Sequence, residues 1–177
     1  MKKLLVLLFI FTSFLATAQA QEKQKKTEIT ITDLNGKNYT VKGTPEGLDV
    51  AEAKGKVLFV EFFGHNCPPC LMTIPHFRNL YAKHKDKIEI LAFEIDSQDP
   101  LTEQQLKAFA QRKQINYPIF YTPKNRLFVS YLAQRAQWNG SIPFLVALNS
   151  KGEVRYIQAG LIPEDVLEKM FLELSAK

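Results

Sequence analysis

Cys67 and Cys70 are the residues of this sequence with the clearest chemistry, and they are the only cysteines in the chain. A disulfide across so short a loop adds little stability, because the entropic effect grows with loop length. A redox role therefore explains the pair better than a structural one. The same spacing also occurs in half of a zinc site, although a closed zinc site needs two further ligands. A copper site with a histidine is a second metal alternative. We interpret the three histidines, His65, His76 and His84, as surface residues.

The segments around the cysteines favour redox exchange. Residues Val57–Phe63 form a short, nearly continuous apolar run, which predicts a buried central strand. A helix is predicted to begin near Cys67. Free backbone N–H groups and the helix dipole stabilise a thiolate at such a position, and this lowers the pKa of the thiol. We therefore assign Cys67 as the nucleophile and Cys70 as the resolving thiol that attacks the mixed disulfide.

The remaining pattern predicts a single α/β domain. Alternating apolar and polar residues on either side of Asn35-Gly36 predict an N-terminal β-hairpin. We interpret 44–56 as a polar connection. Strands and helices then alternate, which implies parallel crossover units, and a final hairpin makes the central sheet mixed. Strands are expected at 57–63, 88–96, 118–121, 144–148 and 153–157. Helices are expected to begin near Cys67, at Asp99 and at Pro163. In the second of these, Asp99 is expected to be the N-cap and 101–112 to be helical. Another helical face is expected at 127–132.

The first twenty residues predict a secretory signal peptide. A basic start is followed by an apolar run and by Ala18-Gln19-Ala20, which fits an A-x-A cleavage site. An uncleaved N-terminal anchor is the alternative. We therefore divide the chain into a signal peptide at 1–20, a flexible N-terminus at 21–27 and one domain at 28–177. Export implies a periplasmic or extracytoplasmic location, where the environment is oxidising.

Composition and charge limit the kinds of binding partner that are expected. The chain has 177 residues and a formal net charge of +5, without a basic run interleaved with aromatic residues, so a nucleic-acid partner is not expected. The N-terminal region contains no obvious dimerisation helix, and we expect a monomer. No cofactor and no resident metal are expected.

The active-site segment resembles that of thioredoxin-like proteins. Residues 57–75 are similar to their active-site strand and helix, with the acid Glu61 six residues before the first cysteine and Pro75 five residues after the second. Ser141-Ile142-Pro143-Phe144 resembles their cis-proline loop. The N-terminal hairpin, the signal peptide and the Cys-Pro-Pro-Cys sequence are similar to the exported TlpA/ResA-like branch. The resemblance implies a thioredoxin-like fold with a mixed central sheet flanked by helices and an added N-terminal β-hairpin.

The resemblance also implies roles for single residues. Glu61 corresponds to a buried acid that assists proton transfer to or from the resolving cysteine, and burial raises the pKa of such a carboxyl. Pro143 corresponds to the cis-proline, although the sequence alone would predict a trans bond. Ile142 would line the surface on which a substrate strand docks by backbone pairing. The segment 122–139 is longer than the usual connection in this family. We interpret it as an extra helix, with a role in partner specificity as the alternative.

The function implied is reduction of disulfides in specific exported proteins, with apocytochrome c in cytochrome c maturation as the leading candidate. A membrane electron donor of the DsbD/CcdA type would resupply electrons. Pro68 and Pro69 have no N–H groups to stabilise a thiolate, which favours a reductant over an oxidase. A disulfide oxidase or isomerase in protein folding, and a metal-binding or metallochaperone module, are the alternatives. A peroxidase is disfavoured, since no T-x-x-C pattern precedes the strand–helix junction.

Overall fold

The computed structural model describes residues 28–95 and 98–176. The predicted signal peptide and the predicted flexible segment, 1–20 and 21–27, therefore lie outside the described residues. The described part contains a three-stranded sheet and a five-stranded sheet with helices on both faces of the larger one. No helix in this part of the chain combines the length and the apolar character needed to cross a membrane.

A small antiparallel sheet opens the domain. Its strands are β1 (Glu28–Thr32), β2 (Asn38–Gly43) and β3 (Leu48–Val50). Strands β1 and β2 form the predicted hairpin, and Gly36 occupies the turn at φ 85°, a conformation that glycine adopts without strain. The third strand lies in the segment predicted to be a polar connection, so that prediction is wrong for 48–50. Leu48 and Val50 are buried there, but three residues are too few to give a clear alternation.

The larger sheet has the mixed topology that the sequence predicts. Its strands are β4 (Val57–Phe63), β5 (Ile88–Glu94), β6 (Ile119–Tyr121), β7 (Phe144–Leu148) and β8 (Val154–Ala159). Their order is β6-β5-β4-β7-β8, with parallel pairs on the β5 and β6 side and antiparallel pairs on the β7 and β8 side. Because β4 lies in the middle, its carboxyl end is bordered by neighbouring strands on both sides.

Four helices cover the two faces of this sheet. They are α1 (Pro68–His84), α2 (Glu103–Arg112), α3 (Arg126–Arg135) and α4 (Glu164–Ser175). Helices α1, α2 and α4 pack on one face, where Phe77, Leu106 and Leu167 join one buried cluster. Helix α3 and the small sheet cover the other face, through Phe128 and Tyr39. Burial of each such side chain stabilises the fold by about 1.5–3 kcal/mol.

Helix α2 begins later than the sequence predicts. We expected Asp99 to cap it and 101–112 to be helical, but the N-cap residue is Thr102. The Thr102 hydroxyl accepts a hydrogen bond from the Gln105 amide at 3.2 Å, and the Thr102 amide donates to the Gln105 side chain at 2.8 Å. This reciprocal capping box satisfies two free amides. Asp99 is left to bond elsewhere, at the turn that precedes the cysteines.

Candidate active site

The two cysteines lie where β4 meets α1. The strand ends at Phe63, a short turn follows, and Cys67 is the N-cap residue of the helix. The Cys67 amide donates to the Gly64 carbonyl at 3.3 Å, which closes the turn. Pro68 fits the first helical position because an amide there would have no partner within the helix. The strand–helix junction predicted from the sequence is therefore present.

Cys67 and Cys70 form a disulfide with their Cα atoms 5.2 Å apart. Cys70 is 0% exposed, whereas Cys67 is partly exposed. The Cys70 amide donates to the Cys67 sulfur at 3.3 Å, and the two residues between them are prolines, which have no amide hydrogen. Cys67 is thus the sulfur that an incoming disulfide can reach, and it has one amide donor from the first helical turn.

A second loop borders the exposed sulfur. The Ile142–Pro143 peptide bond is cis, the geometry that the family resemblance implies and that the sequence alone does not. The Ile142 carbonyl oxygen lies 3.8 Å from the Cys67 sulfur. On its other side, the Pro143 carbonyl accepts a hydrogen bond from the Gly160 amide at 2.8 Å. The residue before the cis-proline is therefore held directly beside the disulfide.

Glu61 lies in the middle strand, on the face that the disulfide shares. Its neighbours on the same face of β4, Phe59 and Phe63, belong to the buried cluster that contains Cys70. Side chains alternate between the two faces of a strand, so the Glu61 carboxyl points toward the layer of α1. The strand thus places an acid beneath the helix that carries both cysteines.

The environment of Glu61 favours its neutral form. The residue is 1% exposed, and among the described residues neither carboxyl oxygen has a hydrogen-bond partner. Burial raises the pKa of Glu61 to about 8, because a carboxylate loses its hydration there. Tyr117 is a close electrostatic neighbour, since burial and then Glu61 raise the pKa of its phenol well above the usual value. Glu61 can therefore exchange a proton near neutral pH.

The turn before Cys67 is held by a polar network that the sequence did not predict. His65 Nδ1 lies 2.9 Å from Glu94 Oε1, and the two side chains are 8% and 4% exposed. Asp99 contacts His65 Nε2 at 3.5 Å and accepts a hydrogen bond from Asn66 Nδ2 at 2.9 Å. The interpretation of His65 as a surface residue is therefore wrong. Phe63, two residues before His65, pairs with Glu94 in the parallel register of β4 and β5, which brings the acid to this turn.

Replacing Glu94 with leucine should lower the free energy of unfolding by about 1–3 kcal/mol, since His65 would lose a buried partner. Urea denaturation at pH 7 measures this loss. Glu94→Gln keeps an acceptor oxygen and should lose less. Glu28→Gln removes an exposed ion pair with Lys42 and serves as the control, with an expected change under about 0.5 kcal/mol. Equal stability of Glu94→Leu and wild type would show that the network does not hold the turn.

The other two histidines lie away from the cysteines. His76 Nδ1 is 3.0 Å from the Ile162 carbonyl, and His84 Nε2 is 2.8 Å from Glu168 on α4. Within the described ranges, no group of three His, Cys, Asp or Glu residues could hold a metal ion. The histidines that would complete a metal site with the cysteines are thus bonded to other parts of the domain.

The structure brings four of the predicted site residues together around the disulfide and places the fifth on the face of β4 that α1 covers. Cys67, Cys70, Ile142 and Pro143 meet at the carboxyl end of the central sheet, and Glu61 lies under α1. Sequence reasoning missed Glu94 and Asp99. Its place as one of two acids in the otherwise apolar strand β5 was the available signal for Glu94.

The family comparison agrees with this arrangement. Residues 16–157 match the AhpC/TSA family. Thiol-disulfide oxidoreductase ResA of Halalkalibacterium halodurans is 28% identical over 130 residues, which cover 73% of this chain and 68% of that protein. A thiol-disulfide oxidoreductase ResA of Bacillus cereus is 26% identical over 147 residues, which cover 82% of this chain and 74% of that protein.

A solved structure agrees in fold. The thiol:disulfide interchange protein of the thioredoxin family from Chlorobium tepidum TLS superposes with a TM-score of 0.66 at 18% identity, covering 85% of this chain and 95% of that one. The mixed sheet with helices on both faces is accordingly the thioredoxin-like fold. Together with the Cys67–Cys70 pair at the strand–helix junction, these similarities identify the family and the activity of the chain. The chain belongs to the AhpC/TSA family and is a thiol–disulfide oxidoreductase of the TlpA/ResA type.

Proposed function

We propose that this protein reduces disulfides of specific exported proteins by dithiol exchange through Cys67 and Cys70. The observation that carries the proposal is the position of the disulfide, with the Cys67 sulfur 3.8 Å from the carbonyl of the residue that precedes a cis-proline. An accessible sulfur beside a docking loop suits attack on a protein disulfide. A buried partner sulfur suits release of the product.

The first step begins with the reduced protein. The Cys67 thiolate attacks one sulfur of the substrate disulfide, so that a Cys67–substrate bond forms and the substrate S–S bond breaks. The leaving substrate sulfur takes up a proton. Cys67 is the attacking group because it is partly exposed at the helix N-terminus, where the dipole favours a thiolate.

The second step returns the protein to the disulfide form. Cys70 transfers its thiol proton to the Glu61 carboxylate and attacks the Cys67 sulfur. The Cys67–Cys70 bond forms, the Cys67–substrate bond breaks, and the second substrate sulfur leaves as a thiol after protonation. The substrate gains two electrons and the protein loses two. A carboxyl with a pKa of about 8 is matched to a thiol proton, since the two groups have similar proton affinities.

Ile142 and Pro143 are proposed to bind the substrate chain. An extended segment next to the target cysteine would pair with the backbone of Ile142, in the manner of strand addition. The Ile142 carbonyl lies 3.8 Å from the Cys67 sulfur, so a docked strand would present its disulfide at the reactive atom. Docking by backbone atoms accepts many sequences, and substrate choice must therefore come from the surrounding side chains.

The two prolines support a reductant. A strong oxidase owes its potential to a stabilised thiolate in the reduced form. Here only the Cys70 amide donates to the Cys67 sulfur within the motif, because Pro68 and Pro69 carry no N–H. The reduced form gains less stabilisation, and the reduction potential should lie nearer to the about −270 mV of thioredoxin than to the about −120 mV of DsbA.

Restoring the missing amides should raise the potential. The variant with Pro68→Ala and Pro69→Ala is expected at about 10–30 mV above wild type, since one hydrogen bond contributes about 0.5–1.5 kcal/mol and 30 mV corresponds to about 1.4 kcal/mol. Equilibration with glutathione redox buffers measures both proteins. Pro163→Ala, at the start of α4, is the control and should leave the potential unchanged. A wild-type value close to that of DsbA would contradict the reductive direction.

The cellular setting follows from the proposed signal peptide and the proposed direction. A reductant in an oxidising compartment needs electrons from elsewhere, and a membrane donor of the DsbD/CcdA type would supply them. Apocytochrome c in cytochrome c maturation is the proposed substrate, and the protein is proposed to act as a monomer in the periplasm or an equivalent extracytoplasmic space. Fractionation of cells and sequencing of the mature N-terminus would test cleavage after Ala20.

A direct assay tests the central proposal. Reduced protein at known concentration is mixed with insulin, and the appearance of free insulin thiols is followed with time. Stoichiometric reduction of insulin is expected, with one disulfide reduced for each Cys67–Cys70 pair oxidised. Failure to transfer electrons to both insulin and an apocytochrome c peptide containing a disulfide would rule out the proposed activity.

A further inference from the structure

The long segment before the cis-proline loop contains the one tryptophan of the chain. Trp138 follows α3, and the end of that helix fixes its position. Gln137 adopts a positive φ of 50°, and the Trp138 amide donates back to the Ala133 carbonyl at 2.9 Å. The chain therefore turns sharply at the end of the helix and brings the indole ring over the face of the central sheet that α3 covers.

The indole ring packs against two neighbouring aromatic rings of that sheet. Its centroid lies 4.9 Å from the ring of Phe62 in β4 and 6.1 Å from the ring of Phe144 in β7. Phe62 is completely buried, and Phe144 directly follows the cis-proline. The edge-to-face contact with Phe62 and the tilted contact with Phe144 restrict the orientation of the indole ring, so its N–H has a fixed direction.

That N–H reaches the loop beside the disulfide. Trp138 Nε1 donates to the Ser141 carbonyl at 2.7 Å, and the Ser141 amide donates to the Asn139 side chain at 3.0 Å. Ser141 is thus bonded through both its backbone groups. The next residue, Ile142, carries the carbonyl that lies 3.8 Å from the Cys67 sulfur. One peptide unit separates the bonded carbonyl from the one that faces the reactive atom.

We infer that Trp138 is a positioning residue, which holds the cis-proline loop through the Ser141 carbonyl so that Ile142 can receive a protein substrate beside Cys67. The inference rests on the proposed function and deepens it, because it gives the segment 122–139 a part in substrate docking. The loop is then supported at both ends, by Trp138 before the cis-proline and by Gly160 after it. A small displacement of such a loop weakens docking while leaving the sulfurs in place.

The test compares a protein substrate with one that needs no docking. Reduced Trp138→Phe keeps an aromatic ring but lacks the N–H donor. Its second-order rate constant with insulin should fall about tenfold, the size expected when one positioning hydrogen bond is lost. The rate constant with the small disulfide 5,5′-dithiobis(2-nitrobenzoic acid) should stay within about twofold of wild type, and the reduction potential should be unchanged.

Two further variants keep the test independent of folding. Tyr131→Phe removes a hydroxyl of the same segment that accepts a hydrogen bond from Arg135 at 2.8 Å, and this variant should change neither rate. Asn139→Ala removes the second bond to Ser141 and should slow insulin reduction selectively, by less than Trp138→Phe. Equal losses with both disulfides, or no loss with insulin, would overturn the positioning role. A wild-type protein that reacts with the small disulfide but with neither insulin nor an apocytochrome c peptide containing a disulfide would instead refute the proposed function.

Discussion

Replacing Cys67 with serine should abolish insulin reduction, whereas replacing Cys70 with serine should stop the reaction halfway. The first variant has no accessible nucleophile, because the remaining sulfur at Cys70 is completely buried. The second keeps the exposed thiol at the helix N-terminus but cannot resolve the mixed disulfide. Non-reducing electrophoresis should therefore show a stable adduct with Cys70→Ser and none with Cys67→Ser.

The same variant identifies the substrate. Cys70→Ser expressed in cells should retain its substrates as mixed disulfides, which mass spectrometry can name after affinity purification. Recovery of an apocytochrome c or of a single maturation protein would support the proposed role. A broad set of folding proteins would point to an oxidase or isomerase. The double variant with both cysteines replaced is the control for capture that does not depend on a disulfide. An adduct formed by Cys67→Ser would contradict the assignment of the nucleophile.

Structural features that depend on consecutive residues could be predicted from the sequence. The apolar run of β4 followed directly by the cysteine pair was enough to predict a strand–helix junction. That prediction held because it depends on a few consecutive residues and on one physical preference, burial of apolar side chains in a central strand. The family resemblance implied a buried acid at Glu61, and the residue is 1% exposed.

Residues brought together from distant positions were harder to predict. The contact of His65 with Glu94 depends on the parallel register of β4 and β5, which no local pattern specifies. Asp99 followed by proline satisfied the local rules for a helix start, but the capping box at Thr102 satisfies two amides and is the better cap. Trp138 bonds a carbonyl only three residues away, yet its direction is set by Phe62 in another strand. The contacts of His65 and Trp138 are therefore set by tertiary packing, whereas the start of α2 is set by a second local pattern.

Replacing Glu61 with glutamine should slow the resolving step by about 10²- to 10³-fold, the usual contribution of a positioned acid or base. In wild type, the rate of release from a mixed disulfide should rise with pH through about 8, where Glu61 loses its proton. The glutamine variant has no such group, so this part of the pH profile should disappear. The first step, attack by Cys67, should keep its rate, because Cys67 is partly exposed and exchanges no proton with Glu61 in the proposed mechanism. Rapid mixing with a preformed mixed disulfide separates the two steps, and an unchanged pH profile in Glu61→Gln would exclude the proposed proton transfer.

Stability gives an independent check on the same carboxyl. Its pKa is about 8 in the folded protein against an ordinary value of 4.5, so between these values the folded state binds more protons than the unfolded state. The free energy of unfolding of the oxidised wild type should therefore fall as pH rises from about 4.5 to about 8, by on the order of 4 kcal/mol relative to Glu61→Gln. Urea denaturation of both oxidised proteins across this range measures the difference, with Glu28→Gln as a control for an exposed carboxyl. Parallel curves of unfolding free energy against pH for wild type and Glu61→Gln would mean that Glu61 is already ionised in the folded protein. A carboxylate that is ionised throughout this range could not produce the pH-dependent step expected in the exchange reaction.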